Sequence, residues 1–123
     1  MHELSICQAL LTQVGEIARK RGADTVDRIT IEWGPLSGVE PDLLKNAFSV
    51  MCARGIAAGA ELRIETIGVT VSCSACGAQT KTVANRLVCE RCGGFRTRVI
   101  AGDELRLRRI EMRVAEPHAA LAG

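Results

Sequence analysis

The sequence predicts a two-layer α+β fold, in which two helices pack on a small three-stranded sheet and a four-cysteine module is inserted between the second and third strands. Three observations predict this fold. Two segments carry apolar residues at helical spacing, three segments alternate apolar with polar residues, and two C-x2-C pairs lie between the last two alternating segments. The 123 residues suit one small domain that carries a smaller module.

Composition excludes several classes of protein. The hydrophobic fraction of 47% and charged fraction of 24% are those of a globular chain rather than a disordered one. No apolar run reaches the roughly 18 residues of a membrane helix, and the first residues lack the order of a signal peptide. We therefore expect a cytoplasmic protein without a membrane partner. The net charge of +2 and the low aromatic fraction of 2% do not indicate a nucleic-acid partner.

Both predicted helices show apolar residues three, four and seven positions apart. The first spans residues 1–22, where Gly22 follows a basic last turn. The second starts near Pro41, a residue suited to a first helical turn, and closes at Gly55. The predicted stripes are Leu4, Cys7, Leu11, Val14 and Ala18, with Leu10 and Ile17 beside them, and Leu44, Ala47, Phe48 and Met51. We interpret Cys7 and Cys52 as small buried hydrophobes, with an accessory metal thiolate as the alternative.

The three alternating segments predict strands at residues 26–33, 61–67 and 104–114. The last segment changes parity at Arg108-Arg109, which we interpret as a bulge. The sheet can bury a core only if this strand returns to the first part of the chain. We therefore predict one α+β domain from residues 1–69 and 101–115, an inserted metal-binding domain at residues 70–100, and a flexible tail at residues 116–123.

Four cysteines are spaced as metal ligands: Cys73, Cys76, Cys89 and Cys92 form two C-x2-C pairs separated by 12 residues. Two such turns facing each other give a tetrahedral set of four thiolates, which suits zinc. Iron shares these ligands, and a thioredoxin-like redox pair is a further alternative, although it needs one pair near a βαβ unit. With four thiolates and no fifth donor, the predicted zinc site is closed and structural.

The first three residues, Met1, His2 and Glu3, offer a second set of metal donors. His2 is expected to retain Met1, so that an α-amine, an amide nitrogen and an imidazole nitrogen can chelate in one plane. Ni(II) and Cu(II) prefer such square-planar, nitrogen-rich coordination, and Glu3 can add an amide or carboxylate. The alternative is an exposed His2 and a Glu3 that complements the first helical turn.

Three motifs occur together in one order: M-H-E-x-S at residues 1–5, G-x-L-S-G-V-E-P-D at residues 34–42, and the spaced cysteines. In this combination the chain resembles the HypA/HybF hydrogenase-maturation nickel chaperones up to about Val114. The resemblance implies a nickel-binding α+β domain with a zinc-ribbon insertion. It also implies His2 as the principal nickel ligand, Met1 and Glu3 as further nickel donors, and the four cysteines as zinc ligands. Arg91 departs from the family, in which many members have proline in the second pair.

The leading hypothesis is therefore a nickel metallochaperone rather than an enzyme. The resemblance implies that, with a partner GTPase, it delivers nickel to the large subunit of [NiFe] hydrogenase, and in some organisms to urease. The sequence shows no paired carboxylates, nucleophile–base set or phosphate-binding glycine loop. The runner-up is a zinc-ribbon module that binds nucleic acid or protein through basic residues around the module's exit. These are Arg96, Arg98, Arg106, Arg108, Arg109 and Arg113, although Glu104 and Glu111 are interleaved among them.

Overall fold

The computed structural model describes residues 2–52 and 55–114, with the backbone alone of His2. The predicted α+β class is confirmed, and in the described part no helix is long and apolar enough to cross a membrane. The predicted tail at residues 116–123 lies outside the described residues. The elements in chain order are α1 (His2–Lys20), β1 (Ala23–Trp33), α2 (Pro41–Met51), β2 (Glu61–Thr66), β3 (Val69–Cys73), β4 (Gln79–Thr82), β5 (Thr97–Ala101) and β6 (Leu105–Val114).

The strands form two three-stranded sheets, ordered β2-β1-β6 and β4-β3-β5. The last strand therefore returns to β1, as the sequence predicts. Arg28 in the central strand bonds both neighbours, with Nε 2.6 Å from Glu61 of β2 and Nη1 3.1 Å from Glu111 of β6. Arg113 of β6 pairs with Asp27 of β1 at 3.0 Å. Residue 27 thus pairs with residue 113 and residue 28 with residue 111, so the residue numbers fall along β6 as they rise along β1, as in antiparallel strands. These exposed pairs fix register more than they add stability.

The helices bury one face of α1 against one face of α2. Cys7, Leu10, Val14 and Ala18 of α1 are buried, whereas Leu4 is 48% exposed. The core-facing stripe thus includes Leu10, which was predicted beside it, whereas the predicted Leu4 is exposed and Leu11 is half-buried. On α2 Leu44, Ala47 and Phe48 are buried, as the helical spacing predicts, whereas the predicted Met51 is half-buried. Burial of these side chains drives the packing of the two helices, because each large apolar side chain removed from water contributes about 2 kcal/mol.

The chain divides into two compact units. One contains the described residues of Met1–Thr30, Glu40–Arg63 and Leu107–Gly123, and the other consists of Ile31–Val39 and Ile64–Arg106. The second unit holds the four cysteines together with the ends of β1 and β6. The domain boundaries drawn from the sequence, at residues 69/70 and 100/101, stay a prediction.

The loop before α2 is held by the turn before β6, within the second unit. Backbone N–H groups of Gly34 and Leu36 donate to the carbonyls of Glu104 and Gly102, each at 2.8 Å. The two backbone segments approach so closely that a Cβ on Gly34 would lie 2.2 Å from the carbonyl oxygen of Gly102. Glycine is therefore required at residue 34 by space rather than by its dihedral angles.

Candidate metal sites

The four-cysteine module is built on the sheet β4-β3-β5. Every second side chain of the central strand β3 is buried: those of Val69, Val71 and Cys73. Antiparallel pairing aligns Val71 with Thr80 of β4 and with Val99 of β5. Because Cys73 is the last residue of β3, the sheet places the first thiol at one end of the module's small core.

Each C-x2-C pair forms the same tight turn. In the first, Cys73 N–H donates to Ala78 O at 2.8 Å and Gly77 N–H donates to Cys73 O at 2.9 Å. In the second, the same two bonds join Cys89 N–H to Gly94 O at 2.9 Å and Gly93 N–H to Cys89 O at 2.7 Å. Gly77 and Gly93 have φ angles of 77° and 73°, a region that glycine adopts without the cost of a Cβ. The repeated turn presents two thiols from each side.

The turns bring all four sulfur atoms within 4.8 Å of one another, the only such group of potential ligands in residues 2–52 and 55–114. Sγ of Cys73 lies 3.7 Å from Sγ of Cys92, and Sγ of Cys76 lies 3.6 Å from Sγ of Cys89. A zinc ion with Zn–S bonds of about 2.3 Å requires sulfur atoms about 3.8 Å apart at the corners of a tetrahedron. The spacing and the ligand type therefore fit zinc.

Local hydrogen bonds favour thiolates at two of these cysteines. The backbone N–H of Cys92, 3.5 Å from the sulfur, lowers the pKa of Cys89 to about 6. The backbone N–H of Cys76 likewise lowers the pKa of Cys73. At Cys92 a hydrogen bond from Gly94 N–H acts in the same direction, but the three neighbouring thiols together raise the pKa of Cys92 to about 11. A bound dication would offset that repulsion, because it favours deprotonation of every ligand.

The N-terminal donors are placed only in part. Met1 and the imidazole of His2 lie outside the described residues, whereas Glu3 lies in the first turn of α1. Oε2 of Glu3 accepts a hydrogen bond from the backbone N–H of Glu40 at 3.3 Å. Its own backbone N–H and that of Glu40 lower the pKa of the Glu3 carboxyl below 4.5, so it is ionised at neutral pH.

Sequence reasoning missed the role of Glu40. It is the N-cap residue of α2, its own side chain makes no capping hydrogen bond, and Pro41 follows it. The anionic Glu3 carboxylate lies where the positive end of the α2 dipole favours negative charge. The carboxylate of Glu3 therefore complements the dipole of α2. The alternative interpretation from the sequence had Glu3 complement only the first turn of its own helix, α1. Glu3 and Glu40 are 37 positions apart, so no local spacing relates them. The one signal in the sequence is that the motifs at residues 1–5 and 34–42 occur together.

Cys7 and Cys52 are buried and belong to neither set of donors. Burial raises the pKa of the Cys7 thiol to about 11 and raises that of Cys52. The Cys7 thiol donates to Leu44 O at 3.5 Å, across the contact between α1 and α2. Their interpretation as small buried hydrophobes is confirmed, since both pack in the core as neutral thiols.

Comparison with known proteins gives one consistent result. A family described as "Hydrogenase/urease nickel incorporation, metallochaperone, hypA" matches residues 1–112. The hydrogenase maturation factor HypA of Nitrosospira multiformis is 44% identical over 112 residues, which cover 91% of this chain and 97% of the relative. That of Aquifex aeolicus is 36% identical over 114 residues, which cover 93% and 99%.

Solved structures agree with the sequence relatives. The solution structure of the Ni metallochaperone HypA from Helicobacter pylori matches with a TM-score of 0.68 and 25% identity, over 92% of this chain and 98% of that one. A second solution structure of a HypA protein matches with a TM-score of 0.72 and 27% identity, over 94% and 98%. The likeness extends over nearly the whole length of both chains.

Proposed function

Because the chain belongs to the HypA family, we propose that it binds Ni(II) at its N-terminus and delivers it, with a partner GTPase, to the large subunit of [NiFe] hydrogenase in the cytoplasm. The single observation that carries the nickel site is the position of Glu3. Glu3 is the next residue after His2, and its ionised carboxylate is hydrogen-bonded at the start of α2. The family description, which names nickel incorporation, and the relatives named hydrogenase maturation factor support delivery of nickel to hydrogenase.

The proposed nickel donors are the α-amine of Met1, the amide and imidazole nitrogens of His2, and Glu3. An amine, an amide and an imidazole in sequence close fused chelate rings in one plane, a geometry that both Ni(II) and Cu(II) prefer. The family's description as a nickel-incorporation metallochaperone supports nickel as the metal. Glu3 supplies its amide or, after giving up its hydrogen bond to Glu40, its carboxylate. A site with so few donors from one chain end suits a carrier, because it can release its metal to an acceptor.

The four cysteines have a separate task in this proposal. Cys73, Cys76, Cys89 and Cys92 hold zinc, whose bonds supply folding free energy to a module too small for a large core of its own. Four thiolate ligands leave no open position for a substrate. The chain therefore carries a structural metal in one unit and cargo nickel at residues of the other, and we assign it no catalytic step.

Nickel titration of the zinc-loaded, untagged protein tests the nickel site. We expect one nickel ion per chain in the wild type and at least tenfold weaker binding in His2→Ala, because the variant loses one proposed donor and the chelate ring that it closes. The matched control is His118→Ala, since these are the only two histidines. Equal affinity in wild type and His2→Ala, or a loss of similar size in His118→Ala, contradicts the proposed site.

A further inference from the structure

One edge of the four-cysteine module is open. In the sheet β4-β3-β5, strand β5 is terminal, and no strand in the described part of the chain pairs with its outer edge. Ser74 N–H donates to Arg96 O at 2.9 Å, and the register pairs Ser72 with Arg98. Antiparallel ladders alternate, so the N–H and C=O groups of Val99 point away from β3. An open edge of this kind is a template for an added strand.

Two unpaired cations flank this edge. Arg96 and Arg98 are exposed, and within residues 2–52 and 55–114 neither makes an ion pair. Together with Ser72, Ser74 and Thr97 they line a surface depression of about 500 Å³. The hydroxyls of Ser74 and Thr97 already donate to the carbonyls of Arg96 and Leu87, at 3.1 and 2.7 Å. The two guanidinium groups can each bind a carboxylate bidentately. The depression therefore suits negatively charged side chains.

Charge is unevenly distributed along the chain. Residues 70–100 carry one acidic residue, Glu90, whereas the whole chain is nearly balanced with 16 basic and 14 acidic residues. The five basic residues of that segment are Lys81, Arg86, Arg91, Arg96 and Arg98. Four thiolates around a dication carry a net negative charge, and the module remains positive when that charge is included. Such a surface accelerates the approach of an acidic partner and selects against basic ones.

An exposed aromatic side chain adjoins the cations. Phe95 directly precedes Arg96 and is 83% exposed, although phenylalanine is a residue type usually found inside. Ile100, on the same face of β5 as Arg98, is 39% exposed. Aromatic and arginine side chains are enriched at protein interfaces and dominate their energetics. The segment 95–100, formed by most of β5 and the two residues before it, thus combines backbone donors and acceptors, two cations and apolar contacts.

We propose that the outer edge of β5 binds an extended, acidic segment of a partner protein. The segment adds as a strand beside Val99, its carboxylates pair with Arg96 and Arg98, and an apolar side chain covers Phe95. A nucleic acid fits less well, because one exposed aromatic ring gives no stacking surface for successive bases and the open backbone edge has no counterpart in a nucleic acid. This proposal does not depend on nickel binding at the N-terminus.

The test uses the zinc-loaded full chain and a synthetic eight-residue peptide of alternating Glu and Thr with one central Leu, blocked at both ends. Titration followed by NMR is expected to shift the amides of residues 95–100 and to slow hydrogen exchange at the Val99 amide. The same peptide with Gln in place of Glu is expected to bind about tenfold more weakly, because two exposed ion pairs are lost. Shifts confined to other residues, or equal binding of the two peptides, overturn the proposal.

Charge reversal separates this edge from general electrostatics. Arg96→Glu/Arg98→Glu is expected to weaken binding of the acidic peptide by tenfold or more, whereas Lys81→Glu on β4, the opposite edge of the same sheet, is expected to change it by about twofold. Zinc content of one per chain shows that each variant is folded, and a variant that loses zinc is replaced by Arg96→Gln/Arg98→Gln. Equal losses in the two charge reversals, or tighter binding of a 20-nucleotide oligo-dT than of the peptide, contradict the acidic-segment site.

Discussion

The carboxylate of Glu3 in α1 accepts a hydrogen bond from the backbone N–H of Glu40, with 3.3 Å between Oε2 and the amide nitrogen. Glu40 is the N-cap residue of α2, so the contact joins the first turn of one helix to the start of the next. It also joins the two motifs that most distinguish this sequence, residues 1–5 and 34–42. A residue proposed to act on nickel thus has a structural partner of its own.

Hydrogen bonds from two backbone N–H groups, that of Glu3 itself first and that of Glu40 second, predict a depressed carboxyl pKa at Glu3. Hydrogen bonds from backbone N–H groups stabilise the ionised form, so the folded-state pKa lies below the ordinary value of 4.5. The ionised Glu3 carboxylate therefore stabilises the fold above pH 4.5, and this stabilisation is lost as pH falls through the lower, folded value. Carbon-detected NMR titration of the side chain measures this directly. A blocked model peptide that contains one Glu serves as the reference, and a Glu3 pKa equal to or above that of the peptide contradicts this account.

Gly34→Ala is expected to destabilise the protein by about 2 kcal/mol, because the added Cβ overlaps backbone that must move. That Cβ would lie 2.2 Å from the carbonyl oxygen of Gly102 and 2.4 Å from its carbon. Gly15→Ala in α1 is the matched control. A Cβ at residue 15 has no neighbour within 4 Å, and alanine in a helix interior is worth about 1 kcal/mol over glycine. Urea unfolding of the zinc-loaded proteins measures both, and the opposite order of stabilities would show that the 34–39 loop is not packed against residue 102.

Replacement of one thiolate tests the four-cysteine site. Cys76→Ser is expected to lower zinc content below one per chain and unfold the module, because structural zinc supplies folding free energy. The proposed N-terminal nickel donors lie in another segment, so nickel binding is expected to survive in part. Cys52→Ala, which removes a buried thiol outside the cluster, is the control and retains one zinc. X-ray absorption that still finds four sulfur ligands in Cys76→Ser rules out the assignment.

The elements with strong periodicity were predictable from sequence. The predicted helix at residues 1–22 is observed at His2–Lys20, and the strand predicted at 104–114 is observed at Leu105–Val114. The predicted parity change holds at Arg108 and Arg109, which are both exposed while Leu107 and Ile110 are half-buried. The predicted inward position of Val114 is wrong, since Val114 is exposed. In these segments burial of a single face dictates the pattern, so the pattern identifies the element.

The strands of the cysteine module were not predicted individually. β4 consists of Gln79–Thr82 and buries no residue fully, so it carries no apolar alternation to detect. Its position follows from pairing with β3 and from the turn that closes at Ala78, both non-local. The same limit applies to Glu40, whose contact with Glu3 depends on how two helices pack. By contrast, the cysteine cluster was predictable, because ligand spacing within each turn is a local property.

His2 is also expected to be necessary for delivery. In a strain that lacks the protein, His2→Ala is expected to accumulate normally, because the buried stripe of α1 begins at Cys7. It is nevertheless expected to fail to restore hydrogenase activity without added nickel. His118→Ala is expected to restore it, and excess nickel is expected to rescue His2→Ala in part. Full activity of His2→Ala at low nickel contradicts the role of His2 in delivery.

The number of protons released on nickel binding tests the proposed chelate most directly. A liganding imidazole, α-amine and amide nitrogen must each be deprotonated, and the reference pKa values are about 6.5 for histidine and about 7.7–8.0 for an α-amine. Calorimetric titration of untagged protein with nickel, in buffers of different ionisation enthalpy, counts these protons between about pH 6 and 7.5. We predict more than one proton released per nickel, an affinity that falls steeply toward pH 6, and weaker binding by an N-terminally acetylated chain at every pH. Proton release near zero, or an acetylated chain that binds nickel as tightly as the free one, would contradict nickel binding at the N-terminus.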